Sequence, residues 1–256
     1  LQSATAATAY QREWFQSVRA RAAAGEPLAF VNADAPHEIL RALDIPYVVN
    51  QWWASVIAAK RVGPPALEVL RARGLPDGSR QYDALALGAQ ELAGDAAPWG
   101  GLPSPAFAIA ERSGDVTAKI FELWGRRPDT ETFLLSRTAA VPASTDWWER
   151  TPHEWETVFG ADRVDLLEAE IHELIAWLEH RTGRRLELDR LAEVMALANE
   201  QAAWNRRTRD LIAAARPAPV AVTDSIPSVM IPQWHRGTAW AVDAAQRLHD
   251  EVAERI

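Results

Sequence analysis

Residues 27–50 read PLAFVNADAPHEILRALDIPYVVN, and their reading decides the fold. Two β-type apolar runs, PLAFVNA at 27–33 and IPYVVN at 45–50, enclose the helical pattern APHEILRALD. A helix between two such strands is a βαβ unit, which builds a parallel sheet. The pattern recurs in AFAIAE at 106–111 and ETFLLSR at 131–137. WWASVIAAKRV, PPALEVLRARG, SRQYDALALGAQELA and DVTAKIFELWGRR supply the intervening helices. The expected class is α/β: a Rossmann- or flavodoxin-like open parallel sheet of about four strands with flanking helices.

Upstream, residues 4–24 place Tyr10, Trp14, Val18 and Ala22 on one helical face. After a Trp-rich connection at about 140–160 the chain turns wholly helical. Val164, Leu167, Ile171, Leu174, Ile175 and Leu178 predict a helix over 163–182, with Asp162 as N-cap and Gly183 just past its end. A second is expected from Asp189 to Ala215, before Pro217, with Leu191, Val194, Ala198, Leu211 and Ile212 facing inward. A third occupies 238–256, with Ala241, Ala244, Leu248 and Val252 in register. It reaches Ile256 without a stop signal, so the chain reads as cut there. The expected division is an α/β domain with its N-terminal helix over 1–140 and a helical domain over 141–256.

Composition narrows the function classes. A net charge of −8, with bases dispersed among acids, provides no cluster for nucleic acid. The chain has no Cys, which excludes disulfides, a thiol nucleophile, zinc-thiolate sites and cysteine-ligated iron–sulfur clusters within it. No apolar run is long enough to span a membrane and no signal-peptide pattern is present, so no membrane partner is expected and the expected location is cytoplasmic. A start at Leu1 rather than Met leaves the true N-terminus outside this sequence.

In an open parallel sheet, ligands bind beyond the carboxyl ends of the strands. Here those ends carry Asn32, Asp34, Pro36, His37 and Glu38, then Asn50, Gln51, Trp52 and Trp53, then Arg112 to Asp115, then Arg137 and Thr138. Each also has a plainer reading. His37 and Glu38 suit the first turn of a helix after Pro36, Asp115 suits an N-cap, and Arg80 suits a solvated helix start. Trp52 and Trp53 point to different faces, so at most one lines a pocket. Twelve Trp against three Tyr, with pairs at 52–53 and 147–148, suit a flat aromatic ligand. The stretch IPSVMIPQWHRGTAW at 226–240 reads as a rigid, donor-rich loop, with Gln233, Trp234, His235 and Arg236 ahead of a helix. GxGxxG, P-loop, HExxH and GxSxG are absent.

Taken together, AFVNADAPHEILRALDIPYVVNQWWASVIAAK, GLPDGSRQYDALALG, PWGGLPSPAFAIAERSGDVTAKIFELWGRR, DLLEAEIHELIAWLEHRTGRRLELDRLAEVMALANE and RPAPV…IPQWHRGTAWA resemble the 2-hydroxyacyl-CoA dehydratase / benzoyl-CoA reductase family over nearly the whole chain. WWERTPHEWE and PQWHRGT resemble the benzoyl-CoA reductase branch. The resemblance implies related subunits, each with a four-iron four-sulfur cluster and an acyl-CoA thioester, fed electrons by an ATP-dependent activator. It also implies a second α/β lobe, which does not occur in this sequence. Matched on Gly74, Tyr82 and Gly88, one family Cys falls at Arg80; a second, before the Asp that follows the third strand, falls at Gly114. Neither Arg nor Gly can replace a thiolate on iron. A guanidinium at 80 favours an anionic group instead.

Three readings follow. The first is a cluster-free lyase of aromatic compound metabolism, hydrating or dehydrating a CoA thioester, with Glu38, His37 and His235 as base candidates. Its substrate-binding candidates are Arg80, Tyr82, Trp52, Trp53, Asp115, Gln233 and Trp147. The second is a non-catalytic or substrate-binding subunit paired with a homologous chain as a heterodimer. The third is a ligand-binding module unrelated to CoA. All three expect no iron–sulfur cofactor, and the first two expect acyl-CoA as ligand. The purified chain is expected to be colourless and free of iron and acid-labile sulfide; stoichiometric iron with a broad visible band overturns the cysteine argument.

Overall fold

The computed structural model describes residues 1–75, 81–94, 97–136 and 145–256. Four strands, β1 (Ala29–Val31), β2 (Tyr47–Val49), β3 (Phe107–Glu111) and β4 (Glu131–Leu135), form one sheet in the order β2-β1-β3-β4. All four lie inside the stretches that read as strands, and the class is α/β with a parallel sheet. β1 pairs with β3 from Ala29↔Phe107 to Val31↔Ile109, and β3 with β4 from Phe107↔Glu131 to Glu111↔Leu135, both in parallel. Burial of β1 and β2 at every position explains their continuous apolar runs, which alternation would have broken.

Eleven α-helices are present among the described residues: α1 (Gln2–Ala23), α2 (His37–Ala42), α3 (Asn50–Ala59), α4 (Gly63–Ala72), α5 (Gln81–Ala89), α6 (Asp115–Trp124), α7 (Trp147–Phe159), α8 (Ala161–Thr182), α9 (Leu188–Ala214), α10 (Val222–Trp234) and α11 (Ala239–Ala253). Two of them correct the sequence reading. The Trp-rich connection contains helix α7, although Pro152 lies inside it and Glu154 departs from helical angles. The supposed loop at 226–240 is helical through Trp234, with Pro227 and Pro232 both inside α10. Proline disfavours a helix interior, but Ser228, Ile231 and Pro232 form a buried face at helical spacing. Tertiary burial outweighs propensity there. At the start of α8 the N-cap is Gly160, and Asp162 lies in the first turn. Gly183 closes that helix with φ 70°, as its position past the end predicts.

The chain folds as two compact units, which cut across the change of secondary structure near residue 140. The first comprises residues 1–28, 36–52 and 186–256; the second comprises 29–35 and 53–185. In the first, the inward face of α9 is Val194, Gln201 and Thr208, at heptad spacing, while α11 buries Ala241, Val242, Ala245, Leu248 and Val252. Expected inward residues Leu191, Ala198, Leu211 and Ile212 are only half-buried. Glu251 accepts from the Gln2 and Ser3 amides at 2.6 and 3.0 Å and from Ser3 Oγ at 2.7 Å, so α11 caps the start of α1. In the second, Trp177 on α8 packs on Phe107 and Phe133 of the sheet, and Phe30 meets Phe121 and Trp124.

Gly88 marks a close approach in the second unit, because a Cβ there would run into the carbonyl oxygen of Ala66 on α4. That obstacle is backbone and cannot swing aside. Gly88→Ala is expected to cost about 2–4 kcal/mol, whereas Gly63→Ala, whose nearest obstacle is Leu85 Cδ2 at 3.9 Å, should change stability by less than about 0.5 kcal/mol. Denaturant midpoints of the two variants measure the contrast.

Candidate functional site

The first unit contains His37, Glu38, Asn50, Gln51 and Trp52 together with the residues near 235, whereas Asn32, Asp34 and Trp53 belong to the second. Helix α2 opens with buried His37, followed by Glu38. The Glu38 carboxylate accepts from Arg236 Nε at 2.6 Å, with both side chains mostly buried. Arg41, one turn on, donates from Nε to the Arg236 carbonyl at 2.9 Å and from Nη2 to the Tyr47 hydroxyl at 2.6 Å. Tyr47 Oη donates in turn to the Trp234 carbonyl at 3.5 Å. Burial pushes the Tyr47 hydroxyl above its ordinary pKa, and the neighbouring Arg41 charge only partly offsets that. The phenol therefore stays protonated and able to donate. Segment 234–237 is thus bound to α2 and β2 by one ion pair and two hydrogen bonds to its backbone carbonyls, and the Arg41–Tyr47 hydrogen bond joins the two donors.

Gly237 completes the turn. Its φ is +78°, and an added Cβ would lie 2.6 Å from Val194 Cγ1 and 3.2 Å from the Val194 carbonyl. Only glycine combines that backbone with that proximity. Thr238 then caps α11 by accepting from the Ala241 amide at 3.1 Å.

His235 sits between Arg236 and the end of α10, and it is 1% exposed. Tyr10 and Trp14 from α1 and Trp240 from α11 surround its ring, with centroids at 5.1, 4.5 and 5.3 Å, all edge-on. Nε2 has no hydrogen-bond partner among the described residues. Burial, reinforced by the Arg41 charge, pushes this imidazole from 6.5 to about 3. It is neutral at ordinary pH, and its affinity for a proton is too low for an effective base near neutrality. Glu38 is engaged by Arg236, and His37 packs on the Tyr47 ring with centroids 5.0 Å apart. Gln233 is half-buried in the last turn of α10.

The remaining predicted residues scatter. Trp52 and Trp53 are each 1% exposed, so neither is available as an open pocket wall; Trp52 Nε1 donates to Gln11 at 2.9 Å. In the second unit, Tyr82 is 44% exposed on α5 and Trp147 is 44% exposed on α7. Burial, opposed by a hydrogen bond with Ser55, raises the Tyr82 pKa. Asp115 is an exposed residue in the first turn of α6, whose N-cap is Gly114. Arg80, Arg137 and Thr138 lie outside the described residues. Sequence reasoning missed Arg41 and Tyr47, the two groups that hold the 234–237 turn. Their signal was an Arg on the helix and a Tyr on the strand of the 27–50 stretch, both ordinary in those positions.

The donor set does not fit a family-type cluster. Iron–sulfur ligation requires thiolates; the chain has none, and among the described residues no group of three or more His, Cys, Asp or Glu could hold a metal. Gly114 has an extended backbone at φ 169° and no side chain to coordinate anything.

The neutral, caged His235 makes stability depend on pH. Unfolded, the imidazole titrates near 6.5; folded, near 3. Above pH 6.5 both states are neutral and nothing changes. Between those values the unfolded state binds a proton that the native state does not, so stability falls as pH falls from 6.5 toward 3. At about pH 4.5 the loss from this group should be roughly 2–3 kcal/mol. Unfolding free energies of the parent and His235→Phe across that range should diverge by this slope; parallel curves would show that the histidine does not titrate as its burial demands.

Comparison with known proteins adds identity to the geometry. The family model for the 2-hydroxyglutaryl-CoA dehydratase D-component matches residues 32–256. The (R)-phenyllactyl-CoA dehydratase alpha subunit of Clostridium sporogenes is 23% identical over 235 residues, covering 91% of this chain and 53% of that protein. The chain thus spans about half the length of this relative. The match across residues 32–256 establishes that the chain belongs to the 2-hydroxyglutaryl-CoA dehydratase D-component family.

Proposed function

We propose that the chain binds an acyl-CoA thioester, its acyl group aromatic, as the cluster-free member of a hetero-oligomer with a homologous, cysteine-bearing subunit. One observation carries this reading: a chain of the dehydratase family has no thiolate with which to hold iron, and its base candidates are engaged or neutral. Redox chemistry, where the assembly performs it, then resides in the partner. An aromatic acyl group is supported by the named substrate of the phenyllactyl-CoA relative and by the resemblance of WWERTPHEWE and PQWHRGT to the benzoyl-CoA reductase branch. The relative's designation as an alpha subunit supports the hetero-oligomer.

A second reading, a cluster-free hydratase or dehydratase acting within the same assembly, is favoured by Glu38. Its side chain is 24% exposed despite the ion pair, at the start of a helix where a carboxylate can be approached. The α-proton of a thioester is acidic enough for one positioned base. His37 and His235 are less suited to that role, being fully buried.

Two measurements separate the readings. Titration of the chain with benzoyl-CoA should quench Trp fluorescence saturably in either reading, and its failure to do so removes acyl-CoA from both. Glu38→Gln should leave turnover of the assembled complex within about twofold if the chain supports a catalytic partner, and should lower it by roughly 10²–10⁴ if Glu38 is the base. The first outcome upholds the supporting subunit; the second overturns it.

A further inference from the structure

The second unit contains a groove that neither reading uses. It encloses about 660 Å³ beside the end of α4 and along α6. Four cations line it: Arg73 at the C-cap of α4, Lys119 within α6, and Arg126 and Arg127 just past the end of α6. Leu75, Leu87 and Leu123 form an apolar wall between them. In a chain of net charge −8 this is a local reversal of sign.

Local pairing accounts for only half of these charges. Arg73 pairs with Glu91, and Lys119 Nζ lies 2.6 Å from Glu122. Glu122 is held below the usual carboxylate range chiefly by Lys119, with smaller effects from Arg112 and Arg126. Arg126 and Arg127 have no carboxylate in ion-pair contact among the described residues; Arg127 lies over the Trp124 ring at 5.8 Å. Cations past a helix C-terminus complement its dipole, but that is worth roughly half a charge per helix. With α4 and α6 both ending here, about one full positive charge is left over.

We propose that this groove binds a phosphoryl-bearing small molecule of the nucleoside diphosphate class. Two guanidinium forks match two phosphoryl groups in a bidentate manner, which a pair of ammonium groups would not. The leucine wall takes the flat base. The volume lies within the range of small-ligand sites and far exceeds that of one inorganic phosphate. A concave, apolar-walled site also suits a compact ligand better than an extended acidic peptide. The site is independent of the acyl-CoA reading, although coenzyme A carries the same diphosphate chemistry.

Calorimetric titration of the full chain with ADP tests the proposal. One saturable site is expected, weakened at least about tenfold in Arg126→Ala/Arg127→Ala and by raised salt. Arg126→Lys/Arg127→Lys keeps the charge but loses the forks, and should fall between parent and alanine variant; it provides the readout should the alanine variant fail to fold. Displacement of ADP by coenzyme A identifies the coenzyme as source of the diphosphate, and its failure to displace points to a free nucleotide; both uphold the site. Absence of saturable ADP binding, binding unchanged in the folded variants, or equal displacement by an oligoglutamate peptide overturns it.

Discussion

The turn at 234–238 depends on one mostly buried ion pair, Arg236 to Glu38 at 2.6 Å. Helix α2 has only six residues, far fewer than a helix needs to persist alone. Its place is set by what it grips, and what it grips is the backbone and guanidinium of residue 236. Removing either partner would leave a charge in a largely desolvated place, which is costlier than the pair itself is favourable. The pair therefore specifies where the turn sits more than it stabilises the unit. His235 follows passively: held by its neighbours' bonds, it fills an aromatic cage without a hydrogen bond of its own at Nε2.

That arrangement explains which features were legible in the sequence. The four strands were, because β1, β2 and most of β3 are buried and read as uninterrupted apolar runs, β4 keeps the β-type run Thr132 to Leu135 although only Leu135 is buried, and punctuation between them was clear. Helices α8, α9 and α11 were, because their apolar residues keep helical spacing. Helix α10 was not. Pro227 and Pro232 carry a local penalty that a sequence displays, whereas the compensating burial of Ser228 and Ile231 is a tertiary fact. The two units were hidden for a related reason: each is assembled from segments far apart in the chain, and periodicity is local.

The candidate site was half legible. Residue types in the right places, Glu38, His37 and His235, were visible after the strand ends and in the 226–240 stretch. Their chemical state was not, since it depends on partners nearly 200 positions away in sequence. A histidine beside an arginine in PQWHRGT looks like a base with a helper. Folded, the arginine is turned to Glu38, and the histidine is pushed to a pKa of about 3 by its own burial. Burial, reinforced by the Arg41 charge, thus reverses the chemical meaning of the motif.

The absence of cysteine bears on the other half of the molecule in the same way. Gly114 at the N-cap of α6 has an extended backbone that suits any residue, so a side chain there is not needed to start the helix. What the second unit keeps, among the described residues, is fixed positive charge on two guanidinium groups that no carboxylate contacts, within a strongly acidic chain. A fold without thiolates can still bind phosphoryl groups, since that requires only arginines held apart at the right spacing.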